Sequence, residues 1–317
     1  MSDQANPPSS GAPSTTEQVS LVTVSYRGDL ELAGELCRSV DRFLNKRAEH
    51  VLVVPRSDAS IFSQFKNDQR RIVVMEDVLP AGYRKLPSPR QIRIGSLYRK
   101  RLREMWLTPT GIVRGWIIQQ IVKLSAPSYT RNDIIVFADS DIVLTAPLTA
   151  KDLQCEGRTR LYRVPDATSD SPMHIGWHVV SARLLGIPES GYMGADYIGN
   201  LITWSRPNVE LLQERLSSLS GKRWDKVIAR QAAFSEYILY GIFVDHILDP
   251  DASGQFATKD DLVHAGWFFD LTTAAGLEEF TRSVKASHVA VAIQSTEPFS
   301  LEERRALVRK IEEQSIR

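Results

Sequence analysis

From residue 19 onward the chain alternates short β-branched runs with segments in which apolar residues return every three or four positions. A run of the first kind fits a strand and a repeat of the second kind fits a helix with one buried face. The opening sets the theme: 19–26 predicts a strand, Gly28-Asp29 a turn, and Leu30, Ala33, Cys37, Val40 and Leu44 the apolar stripe of a helix. Residues 50–55 predict a second strand, 57–65 a short helix and 71–75 a third strand. A helix is then expected over 110–125, with Val113, Ile117, Ile121 and Leu124 on one face, leading through Pro127 into a strand at 133–138. Strands alternating with helices in this order predict an α/β fold, a mostly parallel sheet flanked by helices. The second half is less regular, with strand-like pieces at 160–164 and 178–182, helices at 209–219 and about 226–240, and a strand at 284–293. Ser300-Leu301-Glu302-Glu303 has the form of a capping box and opens a charged helix that runs almost to Arg317.

Composition narrows the class. Of 317 residues, 43% are hydrophobic and 24% charged, as in an ordinary globular chain. The 39 basic residues against 38 acidic ones leave a formal charge of +1, too little excess for a protein that neutralises many phosphates, so no nucleic-acid partner is expected. Residues 1–18, rich in Ser, Pro, Gly and Ala, predict a disordered tail. No apolar run reaches the roughly 20 residues of a membrane span, and the N-terminus lacks a signal-peptide pattern. Cys37 and Cys155 have no partner spacing for a metal or redox motif, so a cytoplasmic protein is expected. One basic run, Arg84 to Arg103, offers a loop over a diphosphate or a peripheral membrane contact.

The candidate chemistry lies at Asp139-Ser140-Asp141, which directly follows the apolar run Ile134-Ile135-Val136-Phe137. Four consecutive apolar residues suit a strand covered on both faces, and ligands of such sheets bind beyond the carboxyl ends of the strands. Two carboxylates one residue apart at that edge can converge, and oxygen donors suit Mg²⁺ or Mn²⁺. Trp116, Gln120 and Lys123 share a helix face at i, i+4 and i+7, where the lysine would meet a phosphate. Ser25, Tyr26 and Asp29, at the end of the first strand, are further donor-site candidates.

At these residues the sequence resembles a known family. Phe137-Ala138-Asp139-Ser140-Asp141-Ile142-Val143-Leu144 resembles the Asp-x-Asp segment of GT-A fold glycosyltransferases, in which the pair holds a divalent ion on the diphosphate of a nucleotide sugar. Thr23-Val24-Ser25-Tyr26 resembles the first, nucleoside-cradling strand of that fold. Gly115-Trp116-Ile117-Ile118-Gln119-Gln120-Ile121-Val122-Lys123-Leu124 resembles the helix before the metal strand in an uncharacterised bacterial glycosyltransferase-like family. The resemblance covers about residues 19–295. It implies a Rossmann-like nucleotide-sugar half at 19–145, an acceptor half at 146–295, and a C-terminal helix at 296–317 outside the domain.

It also implies a metal-dependent glycosyltransferase, using Mn²⁺ or Mg²⁺, a nucleotide-diphosphate sugar donor with UDP as the expected nucleotide, and a carbohydrate or glycolipid acceptor. Asp139, Ser140, Gln120 and Lys123 would face the donor, and Asp139 with Asp141 would hold the metal. The third metal ligand is often a late histidine, which points to His288, with His264 as its rival. Ser235-Glu236-Tyr237 resembles the acidic helix start that supplies the base of inverting enzymes, making Glu236 the expected base. Between these lies 194–204, where Asp196, Tyr197, Asn200 and Trp204 combine hydroxyl-binding and stacking groups suited to an acceptor sugar. Asp139-Ser140-Asp141-Ile142-Val143 also fits the nucleophile motif of haloacid-dehalogenase-like phosphohydrolases, which normally follows the first strand rather than the fourth. A noncatalytic carbohydrate-binding module is the remaining alternative.

Overall fold

The computed structural model describes residues 19–87, 92–94, 98–100 and 104–315, with backbone alone at 92–94, 98–100, 314 and 315. The expected tail lies outside the described residues. Labels below cover only the elements that build or support the site. In chain order they are β1 (Val19–Val24), α1 (Leu30–Phe43), β2 (Glu49–Val54), β3 (Arg70–Val74), α2 (Gly115–Leu124), β4 (Ile134–Phe137), β5 (Ile142–Leu144), α3 (Pro172–Leu185), β6 (Ile202–Ser205), α4 (Arg206–Ser220), α5 (Glu236–His246), β7 (Val263–Ala265), β8 (Ala290–Ala292) and α6 (Leu301–Ser315).

The fold is α/β, as expected. Its central sheet has the order β3-β2-β1-β4-β6, the first four strands parallel and β6 antiparallel at the edge. Strand side chains alternate between two faces, so successive residues enter different cores. Val22, Ile135 and Phe137 pack with α2, α4 and α5, whereas Leu21 and Val136 pack with α1, β5 and β8. Every residue of β4 is buried, which the apolar run had indicated.

A small second sheet, β5-β8-β7, lies beside the carboxyl edge of β4. Its register, Ile142 opposite Ala292 and Ala265 opposite Ala292, brings the chain just after β8 to Asp141. α6 then crosses α1, joined by Arg42–Glu312 at 3.0 Å and Arg305–Glu35 at 2.6 Å. Its capping box forms as expected, Ser300 N–H and hydroxyl both donating to Glu303 Oε2 at 2.7 Å. No helix among the described residues is long and apolar enough to cross a membrane.

Several expected elements differ. Residues 111–114 form a strand paired with Met105–Thr108, and α2 starts only at Gly115; Gly111, at φ +126, makes the turn that the helix-like spacing concealed. Residues 178–182 lie inside α3, where Pro172 in the first turn and Gly186 at φ +67 after the last bound the helix. The helix expected at 226–240 is two, Trp224–Ile228 and α5, and α5 is restarted by the Ser235 hydroxyl accepting from Ile238 N–H at 3.4 Å. The expected strand at 284–293 contracts to β8. Of the basic run, Arg84–Lys85 pairs with the 105–108 strand and Lys85 meets Glu104 at 2.7 Å; the remaining basic side chains lie outside the described residues.

Candidate active site

Beyond the carboxyl ends of β1 and β4 opens a cavity of about 340 Å³. Each wall comes from a different element: Val24 at the end of β1 and Asp29 after it, residues 139–141 after β4, Trp116, Gln119, Gln120 and Lys123 from α2, and Trp177 from α3. Ser235, Glu236 and Tyr237 close it at the start of α5, with Ile198 and Ser295 completing the rim.

Lys123 is the hub. Past its first turn α2 is mostly buried, and Gln120 and Lys123 lie on the wall of the cavity rather than on an outer solvated face. The ammonium donates to the Tyr237 hydroxyl at 2.7 Å and lies 3.1 Å from Glu236 Oε1 and 3.5 Å from Asp139 Oδ1. Burial on its own would lower the lysine's pKa, but the charges of Asp139 and Glu236 and the hydrogen bond to Tyr237 outweigh it and hold the group well above its ordinary value. The ammonium therefore stays charged. Glu236 is buried while the Asp139 side chain is 56% exposed, facing the cavity.

Asp141 is in the opposite situation. Burial, and then the like charge of Asp139, push its pKa up to about 6, even though the Ser295 N–H donates to Oδ2 at 3.1 Å. Ser140 donates to the Ser25 hydroxyl at 2.8 Å and so fastens the 139–141 turn to the end of β1. The segment carrying Ser295 is held by Arg304 of α6, whose buried guanidinium donates to the carbonyls of Ile293, Gln294 and Glu297 at 2.7, 2.8 and 3.0 Å.

The structure thus brings together Asp29, Gln120, Lys123, Asp139, Ser140, Asp141 and Glu236, with Ser25 just behind them. It leaves others out. Tyr26 is half-buried, its ring folded over Gly28, where a Cβ would come within 2.4 Å of it. His288 is not brought to Asp141. It sits at the far end of β8 from residues 293–295, stacked on His264 at 5.1 Å, its Nδ1 accepting from Lys285 N–H at 3.0 Å. His264 in turn bonds the Phe280 carbonyl at 2.7 Å. No group of three or more His, Cys, Asp or Glu among the described residues is arranged to hold a metal.

The expected acceptor segment also sits deeper than its composition suggested. Trp204 is 1% exposed and stacks on Tyr240 at 4.8 Å; Tyr197 donates to Asp245 at 2.6 Å with its ring against Gly241. Asp196 spends Oδ1 on the N–H groups of Tyr197 and Ile198, and Asn200 is buried. Buried rings cannot offer a face to a sugar, so only Ile198 of this stretch reaches the cavity. Tyr237, Ser295 and Trp177 were not anticipated. Tyr237, adjacent to Glu236 at a helix start, was the one with a local signal.

The chain belongs to DUF6492, a family of unknown function, whose profile matches residues 17–313. No curated protein is similar to it. Among solved structures it is similar to the apo-form glycosyltransferase GlyE of Streptococcus pneumoniae TIGR4, at 13% identity over 93% of this chain and 60% of that one, with a TM-score of 0.45. It is also similar to the galactosyltransferase LgtC in complex with donor and acceptor sugar analogues, at 10% identity over 92% of this chain and 95% of that one, with a TM-score of 0.44. The chain spans about 60% of the length of GlyE.

Proposed function

We propose that the protein is a metal-dependent glycosyltransferase that moves a sugar from a nucleotide-diphosphate donor to an acceptor hydroxyl. The observation that carries the reading is the charge of the cavity. Asp29, Asp139, Asp141 and Glu236 line it, against the single ammonium of Lys123 among the described lining residues. A diphosphate would be repelled from such a wall unless a cation came with it.

The donor set fits a hard divalent ion. Asp139 and Asp141 offer carboxylate oxygens, two such ligands suffice when phosphate and water complete the shell, and the burial and Asp139 charge that raise the pKa of Asp141 are costs a bound cation would offset. When bound, Mn²⁺ or Mg²⁺ supplies Lewis-acid stabilisation of the leaving diphosphate. The protein does the rest. Lys123 meets a phosphate oxygen from the α2 side, and Ser140 holds the turn that aims both aspartates.

Glu236 is the base in this reading, with an inverting outcome, and its partner gives it a switch. In the free protein Glu236 Oε1 is held at the Lys123 ammonium. Once the diphosphate takes the ammonium, the carboxylate is released at the cavity wall to accept the acceptor's proton. UDP is the nucleotide to try first.

The test is calorimetry of UDP with and without Mn²⁺. Binding that requires Mn²⁺ and falls more than tenfold in Asp139→Ala supports the reading, and equal affinity in EDTA overturns it. For the base, Glu236→Gln should lower kcat by about 10² or more, within the usual range for general-base catalysis, with UDP affinity within about threefold. Near-normal turnover, or retention of the donor's anomeric configuration by product NMR, would remove Glu236 from that role.

A further inference from the structure

Two tryptophans stand on the cavity wall outside the acidic cluster, Trp177 with part of its ring against the main core and Trp116 outside that core. Trp116, in the first turn of α2, is 40% exposed. Trp177, in the second turn of α3, is half-buried, packed from behind by His174 at 5.0 Å. Their ring centroids are 5.9 Å apart with planes at 37°, and both line the cavity. Leaving large aromatic faces in contact with water forgoes the stabilisation their burial would bring, which is a reason to look for what covers them.

Beside them lies a second, independent observation. Gln120 is 2% exposed, lines the same cavity, and neither its amide oxygen nor its amide nitrogen has a hydrogen-bond partner among the described residues. A buried amide without partners costs about 1–3 kcal/mol for each group left unmade. Its donor and acceptor together match a pair of adjacent hydroxyls.

The order along α2 gives this a direction. At about 1.5 Å rise per residue, Gln120 lies about 5 Å and Trp116 about 10 Å along the axis from Lys123. A ligand anchored by phosphate at Lys123 would pass the amide first and the indole wall next.

We infer that Trp116, Trp177 and Gln120 form a pyranose subsite: an uncharged sugar ring lies with its C–H face on the indoles, and a pair of its hydroxyls bonds the Gln120 amide. The inference deepens the glycosyl-transfer reading and takes the position of the diphosphate from it. The ring belongs either to the donor or to the acceptor, and the same chemistry serves both.

Saturation-transfer NMR of the full chain with the methyl glycosides of glucose, galactose, mannose and N-acetylglucosamine, with and without UDP and Mn²⁺, tests it. Transfer to the ring protons of at least one glycoside is expected. Trp116→Ala, at an exposed position that leaves the fold intact by circular dichroism, should weaken it about three- to tenfold, the loss of one aromatic contact. Trp177→Ala and Gln120→Ala should act in the same direction, and Trp116→Phe should recover most of the signal.

Titrations of UDP, UDP-glucose and UDP-galactose separate the two sources. If Trp116→Ala abolishes the affinity advantage of the sugar nucleotide over UDP, the ring is the donor's; if it weakens only the methyl glycosides, the ring is the acceptor's. Absence of transfer to all four glycosides together with an unchanged sugar-nucleotide advantage in Trp116→Ala and Trp177→Ala overturns the subsite. Tryptophan-dependent glycoside binding in a chain that binds no UDP would keep the subsite and refute the transferase reading.

Discussion

Replacing Asp141 with asparagine should stabilise the free protein while removing the metal-dependent UDP binding proposed for it. The carboxyl's pKa is pushed up to about 6 by burial and by Asp139, against about 3.9 for a free aspartate. Because the folded value lies above the unfolded one, the protonated carboxyl favours the fold at low pH, and that contribution is lost as the pH rises through about 6. Above that pH the ionised group costs the fold up to about 3 kcal/mol. Its contact with the open cavity and the pull of the nearby Arg304 reduce this to about 1–2 kcal/mol. Unfolding entropy of roughly 2.1 cal/mol/K per residue over about 300 residues is about 0.6 kcal/mol/K, so Asp141→Asn should raise Tm by about 2–3 °C at pH 7.5. Asparagine keeps an oxygen for the Ser295 N–H, so the loop is not sacrificed. The gap should halve near pH 5 and close below about pH 4. Thermal melts of both proteins across that range, with UDP and Mn²⁺ calorimetry at pH 7.5, read both halves. A variant no more stable than wild type at pH 7.5, or a gap that does not change with pH, would show that Asp141 is not strained.

Two further expectations concern the groups that hold the site. Lys123→Met leaves Glu236 buried without its ammonium and should cost about 3–5 kcal/mol, whereas Lys123→Met with Glu236→Gln should recover most of the loss, since the neutral pair leaves no charge behind; thermal melts arranged as a double-mutant cycle measure the coupling, and additive effects would deny it. Arg304→Lys keeps the charge but loses the fork that spans the carbonyls of Ile293, Gln294, Glu297 and Phe299, so it should weaken Mn²⁺-dependent UDP binding by about fivefold or more through the Ser295 segment, a change of about 1 kcal/mol; unchanged affinity would limit Arg304 to packing α6.

The legible part of the site is the part that a single element writes. Asp139 and Asp141 follow a strand whose unbroken apolar run shows that both faces are covered, so their place at the sheet edge follows from the sequence alone. Gln120 and Lys123 were legible as one helix face, though not as a buried one, because the spacing reports which residues share a side and not what that side meets. His288 and Ser295 show the other limit. The apolar pattern at 284–293 set a strand but not its ends, and Ile142 pairs with Ala292, which moves the residue beside Asp141 from 288 to 295. Trp204 failed for a related reason: an aromatic ring flanked by polar residues suits a sugar or another ring, and here the ring is Tyr240. Trp177 had no signal at all, since only the packing of α3 near α2 brings it to Trp116, 61 positions away in the chain.

These features share one physical origin, which is a deficit that the folded chain does not settle by itself. Asp139 and Asp141 carry like charge one residue apart with Asp141 driven toward protonation, one ammonium is shared among Asp139, Glu236 and the Tyr237 hydroxyl, and a buried amide has both of its groups unbonded. A core selected only for stability would replace Asp141 and Gln120 with apolar or neutral groups of similar size. Functional sites are where such costs are retained. The three features are also different in kind and lie in order along the cavity: like-charged carboxylate oxygens after β4, an ammonium able to exchange partners near the end of α2, then a hydroxyl-matching amide and two indole faces toward the start of the helix. An isolated phosphate, an isolated metal ion or a free sugar would each satisfy one of them. The proposed donor, a metal-bound diphosphate joined to a sugar, would meet all three at once.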